Sequence, residues 1–196
     1  HEYLTARAAG LRAGESGLIA LDWWNGNRSV LVDARLTGLI LGMTLRTRPE
    51  EIYRALIEAT AFGTRTIVEA FEGSGLPVHT LFACGGIAHK NPLMLQIYAD
   101  VLGREIRVAR TRQAGALGSA MFGAVAAGMA RGGYDTIAQA ATAMGGLLDT
   151  VYRPNPAEAA TYQKLYALYT ALHDQFGRDA HSPMRALRDI QSESLR

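Results

Sequence analysis

The hydrophobic period of this chain first switches from β-like to helical near residue 47, and that switch constrains the fold more than any other feature. Before it come three short β-like runs, Leu18 to Trp24, Val30 to Asp33 and Leu39 to Leu45. Asn25-Gly26-Asn27 separates the first two, a turn signal with strong preference for positive φ, and Arg35 to Gly38 separates the second from the third. Short strands joined by short turns imply antiparallel neighbours. After the switch, Ile52, Ala55, Leu56, Ala59, Phe62, Gly63, Ile67, Ala70 and Phe71 recur at helical spacing, which predicts an amphipathic helix of about six turns. Thr47-Arg48-Pro49-Glu50 supplies a capping-box pattern at its start and Gly73 a stop.

Alternation follows. Thr80 to Cys84 reads as a strand leading into Gly85-Gly86, and Asn91-Pro92 opens a helix that runs to about Leu102. Gly103 closes that helix, Glu105 to Ala109 reads as a strand, and a small-residue helix begins near Ala114. Its interleaved Gly115, Gly118 and Gly123 are expected to let it press against the sheet. Tyr134 to Met144 forms a further short helix, and Asn155-Pro156-Ala157-Glu158 caps a long one ending near Gly177, with Tyr162, Leu165, Tyr166, Tyr169 and Leu172 on its apolar face. The expected order is β-β-β-α-β-α-β-α with additional C-terminal helices, an α/β fold of the ribonuclease-H-like, actin-type ATPase class. Residues 1–178 are expected as one domain, and 179–196 as a polar tail, either a short helix or mobile.

Composition narrows the classes of function. A formal net charge of +2 with scattered arginines gives no broad footprint for nucleic acid or anionic lipid. The single cysteine, Cys84, excludes a disulfide framework or a cysteine-based zinc site within one chain, so a reducing, cytoplasmic compartment is expected. Ala114 to Ala130 is weakly polar but built of glycine and alanine and flanked by Arg112 and Arg131, which favours a packed helix over a membrane span. The chain opens on His1-Glu2-Tyr3-Leu4, and the expectation is a piece of a longer protein.

Several residues carry candidate chemistry. Gly85-Gly86 lies between a strand and a helix start, where glycine lets backbone approach a ligand and amide groups favour phosphate; a tight turn without ligand is the alternative. Neither a dinucleotide G-x-G-x-x-G nor a Walker-type phosphate loop occurs. Lys90 and the N-cap Asn91 stand near enough to meet a nucleotide, the lysine alternatively being solvated. Asp22, beside Trp23 and Trp24, suits a sugar site, or anchors a turn with Arg28 or backbone amides as partner. The five histidines show no metal-ligand spacing, no nucleophile elbow is visible, and Cys84 reads as a small residue at a strand end.

These residues bear a resemblance. Gly38-Leu39-Ile40-Leu41-Gly42-Met43, followed after seven residues by Glu51-Ile52 and then Ala55-Leu56-Ile57-Glu58, is similar to the second signature of the FGGY family of carbohydrate kinases. Ala83-Cys84-Gly85-Gly86-Ile87-Ala88-His89-Lys90-Asn91-Pro92 resembles the family's adenosine-binding loop, and Ala116-Leu117-Gly118-Ser119-Ala120 the small-residue helix after it. Leu21 to Arg28 and Arg54 to Gly63 resemble the members that act on L-ribulose more than those that act on glycerol or xylulose, and the likeness runs to about Arg178.

The resemblance implies two actin-like lobes with ATP and sugar between them, and a transfer of the ATP γ-phosphate to the terminal hydroxyl of L-ribulose in arabinose breakdown. Gly86 then offers backbone to the nucleotide and Gly85 shapes the loop. Lys90 stands where glycerol kinases carry a nucleotide-contacting asparagine, a role that Asn91 could take. The catalytic aspartate, the main phosphate loop and the groups that hold Mg2+ are expected before His1, so no catalytic base and no metal ligand is expected here, and the piece alone should be inactive. Expected partners are ATP and a pentulose, with a homodimer possible. A kinase lobe for another pentulose or polyol, or a non-catalytic interaction module, are the alternatives.

Overall fold

The computed structural model describes residues 1–195. Two compact units divide them: His1–His79 with Ile97–Gly103 and the residues from Pro154 onward, and Thr80–Gln96 with Arg104–Arg153.

The first unit is built on one long helix. It opens with α1 (Glu2–Ala9), a helix ahead of the first expected strand. Strands β1 (Ile19–Leu21) and β2 (Leu39–Leu41) pair antiparallel, with Ile19 opposite Leu41 and Leu21 opposite Leu39. The second expected strand, Val30 to Asp33, does not form. Residues 30–33 instead close a turn, in which the Val32 amide donates to the Ser29 carbonyl at 2.9 Å and the Asn27 side chain accepts from the Leu31 amide at 3.3 Å. Three aliphatic residues, of which Val30 and Val32 are exposed, bury too little to hold a strand against that local hydrogen bonding. Val32 adopts a φ of 50°, costly for a β-branched residue.

Helix α2 (Pro49–Gly73) spans 25 residues, as its period predicts. Its start lies one residue later than the expected capping box: Glu51 reaches back to the Arg48 amide at 2.7 Å, while the Thr47 hydroxyl accepts from the Thr44 amide at 2.8 Å. Ala55, Ala59, Ala61 and Phe62 are buried, and α2 packs on α1 and β1. Helix α7 (Pro156–Gly177) lays Tyr162, Tyr166 and Tyr169 around Phe62, with ring centroids 6.2, 6.0 and 5.4 Å away. Leu165 and Leu172 are only half-buried, and His173 takes the inward position.

Beneath this layer lies a buried ion pair. Arg54 donates to Glu58 at 2.8 Å, to the carbonyls of Ala8 and Leu11 at 3.1 and 2.7 Å, and to the Tyr162 hydroxyl at 2.9 Å, which in turn donates to Glu58 at 3.1 Å. One guanidinium thus ties α1, α2 and α7 together. Past residue 178 the chain forms α8 (Pro183–Ser194), whose Met184 is buried and whose Arg185 pairs with Asp33 at 2.8 Å.

The second unit holds a three-stranded sheet in the order β3-β4-β5. Strand β3 (Leu81–Ala83) runs parallel to β4 (Ile106–Ala109), and β4 runs antiparallel to β5 (Leu147–Tyr152), a strand absent from the expected order. Between β3 and β4 lie α3 (Gly86–Lys90) and α4 (Pro92–Leu102), the latter entering the first unit from Ile97. Helix α5 (Ala114–Ala127) and α6 (Ile137–Met144) pack on each other. No residue of α5 is buried, and a Cβ at Gly115, Gly118 or Gly123 would meet nothing within 4 Å, so its small residues are not pressed on a sheet. Among the described residues no helix is long and apolar enough to cross a membrane.

Candidate functional site

Strand β3 delivers the chain to the glycine pair. Gly85 takes φ 88° and ψ 176°, a left-handed conformation that only glycine adopts at no cost, and turns the backbone into α3. Gly86 is different. It starts α3 without a positive φ, and a Cβ on it would meet nothing within 4 Å. Neither torsion nor packing therefore demands glycine at 86, and bare backbone faces open space there. Lys90 ends α3 and is exposed. Asn91 follows, and its side-chain oxygen accepts from the Met94 amide at 3.1 Å, capping α4 ahead of Pro92. The His89 ring meets the Thr111 carbonyl at 3.2 Å and ties this loop to the segment after β4. The four sequence-predicted residues thus lie on one strand–turn–helix segment.

The first unit holds a cavity of about 350 Å³. Its wall includes Asp22, just past β1, with Trp23, Gly63, Tyr98, Tyr169 and His173. Asp22 is not the expected turn anchor to Arg28. Among the described residues none donates a hydrogen bond to its carboxylate beyond its own backbone amide, and burial pushes that carboxyl above the ordinary aspartate value. Tyr169 is also pushed up, first by burial and then by the charge of Asp22. The His173 and Trp23 rings meet edge to face with centroids 5.4 Å apart. The opposite wall from α2 was not visible as a site in the sequence; Gly63, a glycine in mid-helix, was its one available signal.

A strand–glycine-turn–helix segment in a mixed sheet, with a separate helix-on-hairpin unit in the same chain, is the build of an actin-like kinase lobe. Residues 2–127 match the C-terminal domain of the FGGY family of carbohydrate kinases, and the chain belongs to that family. Particular relatives are similar over nearly its whole length. The ribulokinase of Halalkalibacterium halodurans is 58% identical over 192 residues, 98% of this chain and 34% of that protein. The ribulokinase of Staphylococcus aureus strain Newman is 45% identical over 179 residues, 91% of this chain and 32% of that protein. Among solved structures, the xylulose kinase of Rhodospirillum rubrum superposes with a TM-score of 0.74 at 29% identity, covering 88% of this chain and 33% of that one. The gluconate kinase of Lactobacillus acidophilus gives 0.75 at 27%, covering 91% and 35%. The chain spans about a third of the length of the curated relatives it matches.

Proposed function

We propose that this chain is the nucleotide-binding lobe of an ATP-dependent kinase that phosphorylates the terminal hydroxyl of L-ribulose, as part of a longer protein. The observation that carries the reading is the 58% identity to a ribulokinase across 98% of the chain, well above the 27–29% shared with the xylulose and gluconate kinases. The structure adds a physical support: Gly86 is a glycine that the fold does not require, placed where an incoming phosphate or ribose would need the backbone bare.

In this reading Gly85 sets the turn, Gly86 lends its backbone to the nucleotide, Lys90 offers a mobile cation, and Asn91 fixes the start of α4 beside them. Phosphoryl transfer depends on positioning and charge stabilisation across a closed cleft, so one lobe contributes only its share. The proposal assigns the base that takes the sugar proton to another part of the longer protein. It assigns the groups that hold Mg2+ to that other part as well, as the resemblance implies. A cytoplasmic location goes with arabinose breakdown. The test is phosphate transfer from Mg-ATP by the longer protein to L-ribulose, D-xylulose and glycerol in parallel. A preference for L-ribulose is expected, and a preference for either of the others would overturn the substrate.

A further inference from the structure

One wall of the first unit's cavity, with Asn27, Arg28, Ser29 and Val30, belongs to a closed loop. Asn27 and Asp33 exchange both backbone hydrogen bonds, at 3.0 and 2.9 Å, and so tie its ends together. Inside the tie, Val32 sits at φ 50°, a conformation that a β-branched residue keeps only when its surroundings impose it. Val30 and Val32 are exposed, so the loop has little burial of its own. Much of what holds it in place therefore lies outside it.

Two contacts do the holding. Leu31 fits a notch at the end of α7, where a Cβ on Gly177 would overlap its methyl and stand 3.2 Å from the Trp23 ring. Arg185 of α8 grips both sides of that joint. Its Nε donates to the Asp33 carboxylate at 2.8 Å and its Nη2 to the Gly177 carbonyl at 2.7 Å. The exposed Arg35–Asp189 pair, 3.8 Å apart, adds a weak further link between loop and helix.

Helix α8 is itself lightly held. Met184 is its one buried residue, while Leu187 and Ile190 are exposed. Ser182, just ahead of it, is buried, yet its hydroxyl has no hydrogen-bond partner among the described residues, so docking leaves a polar group unsatisfied. An element with so few buried contacts opens locally at a lower free energy than the core.

We propose that α8 is a releasable strap for the cavity wall. Docked, it holds the loop 27–33 through Arg185; released, it frees the loop and opens the cavity beside Trp23. The inference uses no residue of the nucleotide loop, which lies in the other unit.

The experiment combines hydrogen–deuterium exchange with hydroxyl-radical labelling of Trp23, in the protein carrying Met184→Asp. That change undocks α8 and leaves Arg185 and every loop residue as they are. The amides of Asn27, Val32 and Asp33 should then exchange about tenfold faster or more, together with those of 183–194, while residues 55–62 of α2 stay protected. Labelling of Trp23, 3% exposed in the docked state, should rise toward that of its neighbour Trp24, which is 57% exposed and serves as the internal reference. Should Met184→Asp fail to fold or leave α8 protected, Arg185→Met decides by the same two readouts. The proposal is overturned if α8 loses protection while the loop amides and Trp23 do not change, since the helix would then merely rest on the loop. Equal loss of protection in α2 also overturns it, because α8 would then be part of the core and not a strap.

Discussion

Arg54 shows how much one side chain can organise. Its guanidinium reaches a carboxylate, a hydroxyl and two carbonyls, and without it the buried Glu58 carboxylate would keep only the Tyr162 hydroxyl as a donor. Removing one member of such a pair strands the other charge, so Arg54→Met should cost about 3–5 kcal/mol in urea unfolding. Arg54→Met with Glu58→Leu should recover much of that loss; a double variant as weak as the single would contradict the account. Val32 makes the opposite case. It is 78% exposed and held at φ 50°, so it contributes strain and little burial. Val32→Asn should raise stability by about 0.5–1 kcal/mol, because asparagine tolerates the left-handed region. An unchanged or lower melting temperature would show that the turn relaxes around valine instead.

At the scale of elements, the long helices and the strands β1 to β4 were legible, whereas β5 and the short helices α1 and α3 were not. The period of α2 and the Asn-Pro caps of α4 and α7 name those helices within a residue or two, since caps and apolar stripes are local signals. Strand β5, with Leu147, Leu148, Asp149, Thr150 and Val151, lacks clean alternation and exists through pairing to β4, a non-local cause. The run 30–33 failed for the converse reason, since its apolar residues sit in a turn in which Asp33 forms only an isolated bridge with Asn27. The glycine loop could be read from the sequence because its residues are contiguous. The cavity could not, because Asp22, Gly63, Tyr98 and Tyr169 come from four separate segments.

Helix α8 depends on one of those unforeseen pairings. The Arg35 amide, and after it the Arg185 guanidinium, hold the Asp33 carboxyl below its ordinary value of 3.8. A depressed folded-state value means that the contribution is present above 3.8 and is lost as pH falls through the lower folded value. Exchange protection of residues 183–194 should therefore fade with acid below pH 3.8 in the wild type, and be weakened already at neutral pH in Asp33→Asn. Equal protection in Asp33→Asn and wild type at neutral pH would remove the ion pair from the docking of this helix.

For the whole molecule, burial is distributed unevenly between the units. The first carries the aromatic cluster and the buried ion pair, whereas α5 in the second has no buried residue and leaves Phe122 67% exposed. Local stability follows buried contact, so amides of α5 should exchange well before those of α2, and simultaneous exchange would refute that ranking. The same openness suits the proposed function, in which the glycine loop stays uncovered to receive a nucleotide. The central claim is that Gly86 is glycine for a ligand and not for the fold. Its direct test is Gly86→Val in the longer protein, with ATP affinity and thermal unfolding measured together. The account predicts a loss of about tenfold or more in ATP affinity, near 1.4 kcal/mol, with an unfolding temperature close to wild type. Unchanged ATP affinity together with a lowered unfolding temperature would make the glycine pair a structural turn and contradict the account.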